Sequence, residues 1–259
     1  MDDRTACLAE VARGTLPPGR LARPVLQDVY PIVRAIRARA EALAAQPGDG
    51  APLDVFVPLS GGRVLGGTLP SPHGDVLLSA IYSRVAAKHR LAAWVRLLAA
   101  TASAPERAFS AVTVGRGPRG QLVTVARLPP LGPDAAARRS AALDELESLV
   151  DLYARGMREP LPLFCASSAA YAAAAAGGDD ALAAARAKWR SDYNFRGEDA
   201  DPEHELVYGR RRAFEDLLEL APGPEEQGPG WEASEPARAG RLARRLWDPL
   251  LAREEVTIG

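Results

Sequence analysis

Apolar positions set a helical rhythm near the start of the chain. Ile32, Val33, Ile36, Ala40 and Leu43 recur at helical spacing until Pro47-Gly48 ends the run, and a short opening helix precedes them across Gly14-Thr15-Leu16-Pro17-Pro18-Gly19. The period then shortens. Leu53-Asp54-Val55-Phe56-Val57 is rich in β-branched and aromatic residues, Gly61-Gly62 supplies a turn, and Arg63-Val64-Leu65 completes a predicted hairpin. Beyond Gly66-Gly67 and the breaker Pro70-Ser71-Pro72, residues 76–82 predict a third strand that runs straight into a helix. There Leu91, Trp94, Val95 and Leu98 fall at i, i+3, i+4 and i+7, an apolar stripe for the sheet, and the opposite face is basic.

A second hairpin is predicted from residues 109–114 and 122–126 around Gly115-Arg116-Gly117-Pro118. Pro133-Asp134 then opens a long helix, with Leu143, Leu146, Val150, Tyr153 and Met157 on one face, and Glu159-Pro160-Leu161-Pro162 stops it. The alanine run 168–178 and residues 180–193 predict two more helices. Residues 198–205 read as an acidic surface loop, 222–240 as a mobile linker and 242–251 as a terminal helix. This order predicts an α/β (α+β) core with a mixed sheet flanked by helices. Three regions are expected: helices over 1–50 packing on the core, the core with a helical extension over 51–221, and a flexible linker with a terminal helix over 222–259.

Composition narrows the function classes. The 259 residues are 47% hydrophobic and 25% charged, which excludes wholesale disorder and allows a sizeable core. Lysine and arginine total 32 against 33 acids, so any polyanion site must be a local patch. Only Lys88 and Lys188 are lysine; with the alanine excess this bias reads as a GC-rich genome, so a single arginine carries little weight. Cys7 and Cys165 are too few and too far apart for a disulfide framework or a cysteine zinc site. The acidic N-terminus has no apolar h-region, and no segment reaches 18 uninterrupted apolar residues. The expected location is the cytoplasm.

The element order is also that of the restriction-endonuclease-like nucleases, and this invites a chemical test. Those enzymes hold a divalent metal between an aspartate on the second strand and a D/E-x-K on the third, where the metal activates water and neutralises the phosphate. Here Lys88 is preceded two positions earlier by Ala86, and Lys188 by Arg186, so no D/E-x-K exists. The second strand ends in Gly67-Thr68-Leu69 and the third in Ile81-Tyr82-Ser83-Arg84. His73, His89 and His204 form no close metal-ligand pair, and the acids around His204 read as solvated. Cys165 reads as a buried structural thiol. No nucleophile elbow, Walker loop or dinucleotide fingerprint is present, and no cofactor or metal is expected.

Two constellations remain. Arg84, Lys88, His89, Arg90 and Arg96 cluster at the start and outer face of the helix after the third strand, where Arg84 and Lys88 can reach one phosphate run. An ordinary solvated helix face is the plainer reading, as it is for Arg210-Arg211-Arg212. The segment from Ala187 to Glu198 concentrates aromatics in a chain that is only 6% aromatic: Trp189, Tyr193 and Phe195, with Arg196, either anchor a partner or bury in the core.

Four stretches, in order, carry a family resemblance. They are Gly66-Gly67-Thr68-Leu69-Pro70; Tyr82-Ser83-Arg84 with Lys88-His89-Arg90-Leu91-Ala92-Ala93-Trp94; Leu152-Tyr153-Ala154-Arg155-Gly156-Met157-Arg158-Glu159-Pro160-Leu161-Pro162; and Ala187-Lys188-Trp189 through Arg196-Gly197-Glu198. Together they resemble the C-terminal region of RecC, the gamma subunit of exodeoxyribonuclease V (RecBCD), from about Gly14 onward. The resemblance implies a restriction-endonuclease-like PD-(D/E)XK domain whose catalytic residues are lost and which serves assembly and DNA strand handling. It implies RecB-like and RecD-like partner subunits, double-stranded DNA ends or forked DNA, and a place in double-strand break processing and recombinational repair. The inactivated helicase-like domains that precede this region in RecC are absent from the sequence, so Chi reading is not assigned to it, and an apolar patch facing them is expected. A competing expectation is a metal-dependent DNA nuclease with a migrated site on Asp75 and the acids of 198–205. A third is a protein-interaction domain that makes no DNA contact.

Overall fold

In a computed structural model that describes residues 3–14, 16–17, 21–44, 50–210 and 212–259, the chain begins with two helices, α1 (Asp3–Ala12) and α2 (Ala22–Leu43). There follow β1 (Leu53–Pro58), β2 (Val64–Leu69), β3 (Val76–Arg84), α3 (Ala87–Ser103), β4 (Ser110–Arg116), β5 (Val123–Leu128) and α4 (Ala135–Gly156). The remainder is α5 (Cys165–Gly177), α6 (Ala181–Trp189), α7 (Pro202–Tyr208), α8 (Phe214–Leu218), α9 (Arg238–Leu251) and β6 (Glu255–Ile258). Thr15, Pro18-Gly19, the helix stop at Pro47-Gly48, and Arg211 lie outside the described residues.

β1 and β2 pair antiparallel as the predicted hairpin, with Gly61 and Gly62 both at positive φ in the connection. The main sheet runs in the order β3-β4-β5-β6: β3 lies parallel to β4 across the α3 crossover, and the other pairs are antiparallel. This is a mixed sheet flanked by helices. The β1-β2 hairpin is a separate two-stranded sheet and rests on α3 through the side chains of Val55 and Val57.

Side-chain alternation builds the two layers. From β4, Ala111 points to the large core with Trp94, Leu97 and Leu98 of α3, while Val112 and Val114 point to Ile36 and Ala40 of α2. Val123 and Val125 join the α2 layer and Leu128 the α3 layer, so β4, covered on both faces, is buried along almost its whole length. Asp134 caps α4 by accepting a hydrogen bond from the Ala137 amide at 2.9 Å. Not every predicted apolar stripe is buried. Val33 and Val95 are exposed, and so are Tyr153 of α4 and Met157 just past its end, whereas Leu146 of the predicted face is buried and Leu152, outside that face, is buried as well.

Several expectations need correction toward the C-terminus. α6 ends at Trp189, four residues before Tyr193, because Trp189 dives into a third cluster with Phe164, Ala185, Phe214 and Leu217, and the chain turns out behind it. The acidic stretch expected as a loop holds a short turn of 3-10 helix at Glu198–Ala200 and then α7, which starts on Pro202 with Glu203 and Glu205 in its first turn, a favourable start for the helix dipole. α9 begins at Arg238, and β6, absent from the sequence-based elements, adds an edge strand to β5. Residues 222–237, expected as a linker, place Trp231, Glu226 and Glu235 in buried positions. Arg238 Nε donates to both Glu226 oxygens at 2.9 and 3.0 Å, and the Tyr171 hydroxyl donates to Glu235 at 2.8 Å. Among the described residues no helix is long and apolar enough to cross a membrane.

Candidate functional site

The carboxyl end of β3 leads directly into α3, and this junction gathers the basic residues. Arg84, the last residue of the strand, and Lys88, in the first turn of the helix, are both exposed and have no ion pair among the described residues. Arg96, about two turns further along, is exposed and donates to Ser79 Oγ at 3.2 Å. The other two members of the predicted cluster face elsewhere. His89 Nδ1 accepts the Ala86 amide proton at 3.1 Å, a helix cap that requires an unprotonated nitrogen. Burial first, and then the Lys88 charge, pull its pKa below the ordinary histidine value, so His89 is a neutral cap at pH 7. Arg90 turns inward. Its Nε donates to the two Glu254 oxygens at 2.9 and 2.8 Å, a second donor engages the same carboxylate, and the guanidinium lies 5.9 Å from the Trp247 ring centroid.

One basic residue at this junction escaped the sequence reading. Parallel pairing makes Arg116 the Cα partner of Arg84, and its guanidinium lies 5.5 Å from the centroid of the half-exposed Tyr82 ring. In sequence Arg116 sits in a Gly-Arg-Gly turn signal; only the β3-β4 pairing brings it beside Arg84.

The aromatic segment divides in the same way. Trp189 is buried, its ring 4.4 Å from Phe164 and stacked on His204 at 5.7 Å, and its indole N–H donates to the Arg212 carbonyl at 2.7 Å. Tyr193 is fully exposed, and Phe195 and Arg196 are exposed beside it. Their turn is tightly built. Asp192 Oδ1 accepts the amides of Asn194 and Phe195 at 2.8 and 2.7 Å, while the Asp192 amide donates to the Phe195 carbonyl at 2.8 Å. Buried Asp199 accepts the Ser191 amide at 3.0 Å, and any Cβ on Gly197 would overlap the Trp189 carbonyl oxygen. Arg196 donates to the Ala200 carbonyl at 2.7 Å. The turn thus holds two aromatic rings in solvent on a fixed support.

The acids named for a migrated metal site are dispersed. Asp75 precedes β3 and accepts Arg107 Nε at 2.8 Å, whereas Glu198 caps α5 by accepting the Ala166 and Ser167 amides at 2.7 Å each. Glu205 pairs with Arg210 at 3.5 Å, and Arg212 pairs with Asp216 at 3.6 Å. Among the described residues no three His, Cys, Asp or Glu side chains converge as metal ligands. Cys165 opens α5 beside Glu198. Burial, reinforced by the Glu198 charge and partly offset by Lys88, pushes its thiol up to about 11. It therefore stays protonated until the pH approaches that value. Its alkylation by iodoacetamide at about pH 8 is expected to run about 100-fold slower than that of a free cysteine, followed by mass spectrometry of the Cys165 peptide. A rate equal to that of free cysteine would mean that the site is open and uncharged.

Comparison with known proteins gives the family of the chain. The family model described as the RecC C-terminal domain matches residues 2–176. The RecBCD enzyme subunit RecC of Mycobacterium tuberculosis is 39% identical over 250 residues, covering 96% of this chain and 21% of the relative. The same subunit of Mycolicibacterium smegmatis is 41% identical over 258 residues, covering 98% of this chain and 22% of the relative. The chain thus spans about a fifth of the length of the curated relatives it matches, and the likeness continues past the family model through α6 to α9. By the family-model match, which spans more than half of its length, the chain belongs to the RecC C-terminal domain family.

Proposed function

We propose that this chain is a non-catalytic domain of an exodeoxyribonuclease V (RecBCD) type assembly: a restriction-endonuclease-like PD-(D/E)XK fold without its metal-binding residues, which guides DNA and docks partner subunits. The observation that carries the reading is the end of β3. Where such a nuclease would present the acidic and lysine residues of its motif, this chain presents Tyr82, Ser83 and Arg84, next to exposed Lys88. The outward cations Arg84, Lys88 and Arg96 supply non-specific, salt-sensitive phosphate contacts. The rigid turn carrying Tyr193, Phe195 and Arg196 supplies the docking surface for a RecB-like or RecD-like subunit, since exposed aromatics on fixed backbone lose little entropy on binding. The work of such an assembly would be double-strand break processing and recombinational repair in the cytoplasm.

The test is a paired assay on the purified chain: labelled forked DNA with and without Mg²⁺, scored for retention and for cleavage. Retention without cleavage is expected, and combining Arg84→Ala with Lys88→Ala should weaken it at low salt in a fluorescence-anisotropy titration. Metal-dependent cleavage would overturn the non-catalytic reading, and retention indifferent to the double substitution would remove the basic junction from it.

A further inference from the structure

We propose that the outer edge of β3 is a strand-addition site: it takes one extended, uncharged segment of a partner subunit, with small β-branched side chains at alternate positions, as a further strand of the main sheet. The inference rests on the subunit-docking reading above and names the form of partner segment that docks at a second place.

The argument starts from the backbone. β3 stands at the end of the order β3-β4-β5-β6, so one of its edges has no strand of the sheet beside it. The Asp75 carbonyl accepts the Ser110 amide at the start of β4 at 2.9 Å, so the alternate residues Leu77 and Ser79 direct their backbone groups to β4. Val76 instead exchanges hydrogen bonds with His73 at 2.9 and 3.0 Å on the other side, and Leu78 and Ala80 follow it outward. Their amides and carbonyls lie along the open edge. Edge strands that stay alone are guarded by prolines, charges or bulges. β1 has Asp54 and Pro58, and β6 has Glu255. From Val76 to Ala80 β3 reads Val-Leu-Leu-Ser-Ala, with neither proline nor charge, and its register shift comes only after Ala80.

The side chains beside that edge tell what the strand must carry. α2 runs past β3 and leaves an apolar groove of about 350 Å³, walled by Val33, Ile36, Ala40, Leu78 and Ala80. Ile36 and Ala40 are the same side chains that receive Val112 and Val114 of β4 and Val123 and Val125 of β5. A strand added to β3 would meet α2 as β4 and β5 do, through every second side chain, and small β-branched residues suit that surface. The groove's Arg37 and Glu41 pair with each other at 2.7 Å, so it offers no net charge to a polyanion, and an uncharged segment is its complement. His73 lines the same groove. Its Nδ1 is buried without a hydrogen-bond partner among the described residues, an unmet polar atom at the place where an added strand would end.

The experiment uses the full chain and, as probe, a fluorescein-labelled peptide of about seven alternating valine and threonine residues between terminal lysines, titrated by anisotropy. Saturable binding is expected, with slowed amide exchange at Leu78 and Ala80 in nuclear magnetic resonance spectra. Ala80→Pro deletes one outward amide and spares the β4 ladder, a placement that edge strands allow, and should weaken the peptide about tenfold. Val33→Glu puts a charge on the exposed wall of the groove and should weaken it as well, an independent check should Ala80→Pro fail a thermal melt. N-methylating all the valines or all the threonines of the peptide identifies the mode: one set abolishes binding and the other is tolerated, because only one set of amides faces β3. No peptide binding, or binding that tolerates both methylated sets, overturns strand addition. Capture of a RecB-like or RecD-like subunit that falls with Tyr193→Ala and Phe195→Ala but is indifferent to Ala80→Pro and Val33→Glu overturns strand addition and leaves docking at the turn standing. If the chain captures neither subunit, both fall. Binding of labelled oligo(dT) that Val33→Glu weakens would reassign the groove to nucleic acid and overturn the proposal.

Discussion

Replacing Glu254 with glutamine is expected to lower the unfolding free energy by about 3 kcal/mol, the lower end of the range for removing one partner of a buried ion pair. The Glu254 side chain is 3% exposed and that of Arg90 20%, and the carboxylate takes several guanidinium donors at once. Without the negative charge, the Arg90 guanidinium stays desolvated near Trp247 with nothing to balance it. Urea denaturation should show a lower midpoint at unchanged slope. Replacing both partners with apolar residues, Arg90→Met and Glu254→Leu, should recover most of the loss, because the desolvation cost of both charges disappears together. If instead Glu254→Gln is neutral and Arg90→Ala costs DNA affinity in a folded protein, Arg90 belongs with Arg84 and Lys88 on the outer face.

The second large effect separates two neighbouring aromatics. Trp189→Ala should cost about 4 kcal/mol, through a cavity against Phe164 and Phe214 and a lost partner for the Arg212 carbonyl. In a thermal melt this amounts to a fall of roughly 10 °C for a chain of this size. Tyr193→Ala, at a fully exposed position, should leave the melt unchanged and weaken capture of a RecD-like or RecB-like subunit by tenfold or more when combined with Phe195→Ala. A melt depressed by Tyr193→Ala, or partner capture indifferent to the pair, would remove the turn from the docking surface.

These contrasts mark how far the residue pattern could be read. β1, β3, β4 and β5 announce themselves as β-branched runs, and α3 and α4 as long periodic segments, because these signals are local, whereas β2 runs on through Gly66-Gly67, which reads in sequence as its end. β6 carries no such signal: Glu255–Ile258 is only four residues, follows α9 without a turn motif, and is a strand because β5 has an open edge beside it. The basic cluster after β3 was legible as charge but not as geometry. Arg90 shares a helix with Lys88, and only the distant Glu254 turns it inward; Arg84 gains its neighbour from another strand. Trp189 and Tyr193 look alike in composition, and their fates differ because one lies on the apolar side of α6 and the other on a turn clamped by Asp192 and Asp199.

The pairing of β5 with β6 also orders events at the ribosome. Thr124 meets Ile258, and Val123 exchanges backbone hydrogen bonds with Gly259 at 2.8 and 2.9 Å, across about 130 residues of intervening chain. β3, α3, β4 and β5 can assemble as soon as they emerge, but the outer edge of β5, the carboxylate for Arg90 and the indole of Trp247 arrive only with the C-terminal segment. During that interval β5 offers its unpaired amides and carbonyls to any passing strand, so the nascent domain passes through an adhesive stage that β6 brings to a close.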